Sequence, residues 1–330
     1  MHTVTLIFLV LLLAHIGLLL WLSWRQSQHV LRHRGAVPQA FVSVITLEQH
    51  QKAADYTVAK GALERVEIVF GAGLTLAWTL GGGLQWLQHV WSVWAEPLWT
   101  GTALIVSWMV MGSLVNIPLR IYRTFVLEAR FGFNKSTPTT FVTDLLKSLV
   151  LTVLIATPIV ALVLWLMAGL GAWWWLAVWA VLNLFQLIGI WIYPAVIAPL
   201  FNTFTPLPDG EIAQRVAQLL ARTGYVARGL FVMDASRRSG HGNAYFTGVG
   251  RTKRIVFFDT LLTQLTPAQV EAVLAHEIGH DQHRHIIKMI VMNAVATLAG
   301  LAVLAWLLPQ TWLYAGLGVN EPSMAVALVL

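Results

Sequence analysis

The chain has 330 residues, 57% of them hydrophobic and 11% charged, with 16 Trp, no Cys and a formal net charge of +6. Soluble domains carry roughly 25% charged residues, so water alone is excluded as the solvent for this chain. Having no cysteine excludes a disulfide scaffold and any thiolate metal site, which leaves His, Asp and Glu to hold a metal.

Taken in order, the apolar runs Val4–Trp24, Val66–Leu87, Leu98–Leu119, Ser148–Leu170, Trp173–Leu200 and Ile286–Leu308 are each long enough to cross the bilayer, which needs about 20 apolar residues. A seventh run opens at Ser323 and stops at Leu330, too short to span, so the sequence reads as C-terminally incomplete. The first run lacks a basic leader and is followed directly by Arg25, which makes it an uncleaved helix rather than a signal peptide. Gly81-Gly82-Gly83 in the second run marks close helix packing or a local kink. The tryptophans gather at segment ends (Trp21 and Trp24, Trp86 to Trp99, Trp173 to Trp175, Trp306 and Trp312), as interfacial belts do.

The charges set the orientation. Arg25, Arg32, Arg34, Lys52, Lys60 and Arg65 fall beside the first loop, Arg120, Arg123, Arg130, Lys135 and Lys147 beside the third, and the rest between Arg215 and Lys288. By the positive-inside tendency the N-terminus is outside and the hydrophilic stretch Phe201–His285 is cytoplasmic. Basicity therefore reports membrane topology, and nucleic acid is excluded as a partner; the lipid bilayer takes its place. Three regions follow: a membrane domain over 1–200, a polar core over 201–285, and a return to the membrane over 286–330.

Within the polar core, Asp209 N-caps an amphipathic helix that ends near Gly224. Leu230–Asp234, Ala244–Val249 and Ile255–Phe258 read as strands, with Gly250-Arg251-Thr252-Lys253 turning between the last two. A second helix starts at Thr266-Pro267, a cap followed by proline at the first helical position. It carries His276-Glu277-Ile278-Gly279-His280. On a helix the two histidines lie one turn apart on one face, so both reach a single Zn2+, while Glu277 serves as general base toward a water on that metal. Chance produces this pattern about 0.01 times in a chain of such composition, which sets it well above background.

The chain resembles the type I CAAX prenyl proteases, integral-membrane zinc metallopeptidases. The resemblance rests on Ala53-Ala54-Asp55-Tyr56, Glu128-Ala129-Arg130-Phe131-Gly132-Phe133-Asn134, Ile197-Ala198-Pro199-Leu200-Phe201-Asn202 with Phe204-Thr205-Pro206-Leu207, Asn243-Ala244-Tyr245-Phe246 with Gly248, Arg254-Ile255-Val256 with Phe258-Asp259-Thr260-Leu261-Leu262, and the zinc helix. It implies a multi-pass α-helical membrane protein, six spans and the start of a seventh, with a cytoplasmic α+β gluzincin-like domain that holds one Zn2+ per chain. It further implies an endopeptidase acting on peptide or protein substrates, prenylated C-termini or membrane proteins, in the inner membrane of a bacterium or the endoplasmic reticulum of a eukaryote. A general membrane-protein quality-control protease and an inactive zinc-binding scaffold are the alternatives; a transporter fits worst, because the spans carry almost no charge away from their ends.

Several residues are assigned less directly. Asn243 and Ala244 open a strand that either pairs with substrate backbone or only stabilises the sheet. Asp281, where the family carries Trp, either orients a ligand imidazole or is solvated. Arg237 and Arg238 are read as solvated loop charges rather than partners of a substrate carboxylate, and His285, which matches a recurrent family histidine, as a structural or chamber residue rather than a ligand. The third zinc ligand is expected beyond Leu330, where the family has a glutamate. On a straight helix Asp281 and His285 turn away from the ligand face, and His283 lies one turn too far along.

Overall fold

Among the described residues, length and apolarity make five helical stretches candidate membrane spans: Thr3–His33, Pro97–Val115, Pro138–Gly169, Gly171–Phe201 and His285–Leu307. A sixth arises if Leu47–Trp78 and Gly83–Trp91, bent by 53°, form one broken span. Their apolar side chains point outward, with Leu13 and Met292 each 67% exposed, which only lipid makes affordable. The chain is a multi-pass helical membrane protein.

The computed structural model describes residues 2–93, 96–248 and 253–330. In chain order the main elements are α1 (Thr3–His33), α2 (Leu47–Trp78), α3 (Gly83–Trp91), α4 (Pro97–Val115), α5 (Pro138–Gly169), α6 (Trp174–Ile192), β1 (Phe204–Pro206), α7 (Glu211–Thr223), β2 (Gly229–Met233), β3 (Ala244–Thr247), β4 (Arg254–Phe258), α8 (Asp259–Gln264), α9 (Pro267–Gln282), α10 (His285–Leu307), α11 (Thr311–Gly316) and α12 (Met324–Val329). Two π-helical turns, Tyr122–Glu128 and Tyr193–Ile197, lengthen helices near the ends of α4 and α6.

Contacts divide the chain into one unit of residues 1–131, 149–165 and 304–330 and a second of 132–148 and 166–303. In the first unit the break between α2 and α3 has a local cause. Gly82 sits at φ 76°, and a Cβ on Gly81 or Gly83 would meet the Ala77 carbonyl oxygen at 2.7 or 2.8 Å. Of the basic residues expected in or beside the first loop, Arg25 and Arg32 lie on α1 and Lys52, Lys60 and Arg65 on α2, since these helices have 31 and 32 residues and, at about 1.5 Å each, outrun the hydrocarbon. Arg34 just beyond α1 grips Asp55 of α2 through Nε and Nη2 at 2.7 and 2.9 Å.

In the second unit a four-stranded sheet runs β1-β2-β4-β3, with the parallel pair β2–β4 in the middle and antiparallel strands outside. Alternation along each strand puts Ala244, Ile255 and Phe257 on one face, where they meet Val216 and Leu219 of α7 and Val270, Leu274 and Ile278 of α9. The other face carries Val256 and Met233 with Phe231 and Tyr245. The three expected strands form, displaced by a residue at some ends. Val249, where the second of these was expected to end, and Gly250, Arg251 and Thr252 of the turn lie outside the described residues. β1 was not expected. The cap of α7 is Gly210 rather than Asp209, with no side-chain hydrogen bond at that position; its end at Gly224, φ 62°, is as expected.

Candidate metal centre and catalytic helix

Helix α9 is fixed at its start by a reciprocal cap. The Thr266 hydroxyl accepts from the Gln269 N–H at 3.4 Å, the Gln269 side-chain oxygen accepts from the Thr266 N–H at 2.9 Å, and Pro267 occupies the first turn. Val270, Leu274 and Ile278, spaced four apart and at most 1% exposed, clamp the back of the helix to the sheet. At about 100° per residue this turns His276 and His280 to the opposite side, and both are exposed there.

His276 Nε2 and His280 Nε2 stand 3.1 Å apart, with the rings edge to face at 89°. Two imidazole nitrogens this close share either one proton or one cation. An ion about 2.05 Å from each would see them about 100° apart, close to a tetrahedral angle, so the pair fits zinc. Glu277 is half-buried beside them. Among the described residues no group of three His, Asp or Glu side chains could hold a metal ion.

The helix ends immediately after the pair. His283 is its C-cap, and Arg284 adopts φ 54°, the one non-glycine residue in the left-handed region among the described residues. Its N–H donates to the Asp281 carbonyl at 2.9 Å, and its own carbonyl accepts from the Lys288 N–H at 3.0 Å, starting α10. This break overturns the straight-helix expectation for His285: its Nδ1 comes 2.7 Å from His280 Nδ1. His283 stacks on His285, centroids 5.7 Å apart, and does not join the Nε2 pair.

Asp281 pairs with Lys253, whose ammonium also lies 4.9 Å from the centre of the Tyr225 ring. Burial, and then the Asp281 charge, push the Tyr225 hydroxyl well above its ordinary range. Asn243 and Ala244 open edge strand β3. The Asn243 carbonyl accepts from Phe258 N–H at 2.9 Å, so antiparallel alternation turns the main-chain groups of Ala244 and Phe246 to the open edge. The Ala244 N–H donates to Asn243 Oδ1 at 2.8 Å. Ala244 also joins the core that holds Ile278, which ties the edge strand to the back of α9.

Arg238 is not a solvated loop charge. Its Nε and Nη2 hold both oxygens of Asp144 at 2.7 and 2.9 Å, and Nη1 donates to Asn202 Oδ1 at 3.1 Å. The Asp144 hydrogen bonds raise the guanidinium above its ordinary value. Nearby, Gly240 N–H donates to the Phe133 carbonyl at 2.7 Å and the Phe133 ring stacks on His241 at 4.2 Å. The Phe133-Asn134 segment is thereby tied to the loop that leads into β3, a link the sequence motif did not announce.

A membrane-helical chain that presents His-Glu-x-x-His on a capped helix behind an open-edged sheet has the architecture of a membrane metallopeptidase. Residues 26–203 match the family described as CAAX prenyl protease N-terminal, five membrane helices, and residues 206–325 match Peptidase family M48. The chain belongs to this family. A CAAX prenyl protease 1 homolog of Arabidopsis thaliana is 33% identical over 76% of this chain and 61% of its own length. The CAAX prenyl protease 1 of Saccharomyces cerevisiae is 43% identical over 57% and 42%, respectively. The crystal structure of S. mikatae Ste24p superposes with a TM-score of 0.88 at 31% identity, covering 97% of this chain and 76% of that one. The chain thus spans about three-fifths of the length of the plant relatives it matches.

Proposed function

We propose that the chain is a membrane zinc endopeptidase in which His276 and His280 hold the metal and Glu277 is the general base. The observation that carries this reading is the 3.1 Å approach of the two Nε2 atoms on one face of a capped helix, with Glu277 between them in sequence. Bound zinc supplies Lewis acidity that polarises the scissile carbonyl and eases deprotonation of water. The Glu277 carboxylate takes the proton of the attacking water and passes it to the departing amine. The Ala244 carbonyl and the main-chain groups of Phe246 on the open edge of β3 align an extended substrate, and Asn243, which takes the Ala244 N–H, shapes the start of that edge. A catalytic zinc normally takes a third protein ligand besides two imidazoles.

The substrate class follows the relatives' names: peptides with a prenylated C-terminal CAAX sequence. The same reading takes 201–285 as the hydrolytic core between the membrane regions 1–200 and 286–330, with six spans and the start of a seventh. It also puts the core on the cytoplasmic side, since the Lys and Arg residues gather there.

Glu277→Gln tests the chemistry. Zinc content stays at the wild-type level because the imidazoles are untouched, while hydrolysis of a fluorogenic prenylated peptide falls by at least about 100-fold. Wild-type turnover in that variant removes Glu277 from the role of base.

A further inference from the structure

The geometry points to His285 as the residue that fixes the tautomer and ring orientation of the ligand His280, and so sets zinc affinity without touching the metal. This rests on the zinc reading above.

If His280 Nε2 gives its lone pair to the cation, the imidazole proton must sit on Nδ1. That proton needs an acceptor, because metal-bound imidazoles are held and made more basic by a hydrogen bond at the other nitrogen. The usual acceptor is a carboxylate or a carbonyl. Here the atom in place is His285 Nδ1, 2.7 Å away, while the neighbouring carboxylate, Asp281, is paired with Lys253. His285 therefore accepts at Nδ1 and carries its own proton on Nε2.

The backbone supports the assignment. On a continuous helix His285 would lie half a turn from His276. It reaches His280 because Arg284 takes the left-handed conformation at φ 54°, which L side chains rarely adopt. The His283 ring lies roughly parallel to that of His285, with centroids 5.7 Å apart and planes inclined by 21°. α9 supplies the ligands, and the first residue of α10 supplies the acceptor.

Zinc affinity of the detergent-solubilised protein, measured by competition with a chromogenic chelator, tests this with a readout independent of activity. His285→Phe keeps an aromatic ring but offers no acceptor and should weaken zinc about 10- to 100-fold. His285→Asn puts an oxygen where Nδ1 stood and should recover most of that loss, which a purely packing role would not allow. His276→Ala and His280→Ala should abolish tight binding. Wild-type affinity in His285→Phe, or no recovery in His285→Asn, overturns the inference while leaving the zinc reading intact. Loss in His285→Phe as complete as in His276→Ala also overturns it, since His285 would then be a ligand. Undiminished zinc in both His276→Ala and His280→Ala brings down the underlying reading and this inference with it.

Discussion

The chain breaks its helices in a left-handed conformation at two informative places, and they are built differently. Between α2 and α3 the residue is Gly82, at φ 76°, flanked by glycines whose Cβ atoms would strike the Ala77 carbonyl oxygen. Between α9 and α10 it is Arg284, at φ 54°. A glycine adopts this conformation with little steric cost, whereas an arginine pays for it. The first break is therefore written in the sequence as a glycine run, and the second has no such signature. Strain held at a non-glycine residue, one position from the imidazole that faces His280, is the kind found where placement matters more than stability.

The sharpest way to break this comparison is Arg284→Pro. Proline holds φ near −65° and removes the N–H that donates to the Asp281 carbonyl at 2.9 Å. The variant should lose about 3 kcal/mol or more of stability in thermal unfolding, and zinc affinity should fall at least as far as in His285→Phe. Gly82→Val is the matched change at the other break. No atom lies within 4 Å of the added Cβ position, so its cost is torsional, about 1–2 kcal/mol, and chelator competition should find zinc affinity unchanged. Arg284→Gly should have the smallest effect: left-handed geometry persists, zinc binding is retained, and relief of strain offset by glycine's entropy leaves a gain below about 1 kcal/mol. A large drop in zinc affinity in Arg284→Gly would show that the arginine side chain, rather than the turn, organises this end of the site.

Much of the site was legible because its determinants are local. Thr266, Pro267 and Gln269 announce the start of α9, and the i, i+4 spacing of His276 and His280 follows from helical geometry alone. Three strands were found by their Val, Phe and Tyr content, and the glycine run that left packing or a kink open falls where α2 and α3 break. β1 escaped because it has three residues, Phe204–Pro206, and ends in proline. The π turns escaped because bonding from i to i+5 has no side-chain code. His285 was misplaced by extending a straight helix across Arg284. Arg238 was misread because its partners, Asp144 and Asn202, lie 94 and 36 residues away, and no local pattern reports such a pairing.

The claim that His276 and His280 jointly hold a zinc ion beside Glu277 is tested most directly by anomalous diffraction at the zinc edge from crystals of the zinc-loaded protein. The account predicts one peak per chain, about 2.0–2.1 Å from both Nε2 atoms, that disappears in His276→Ala. A peak elsewhere, or one that persists in that variant, would contradict it.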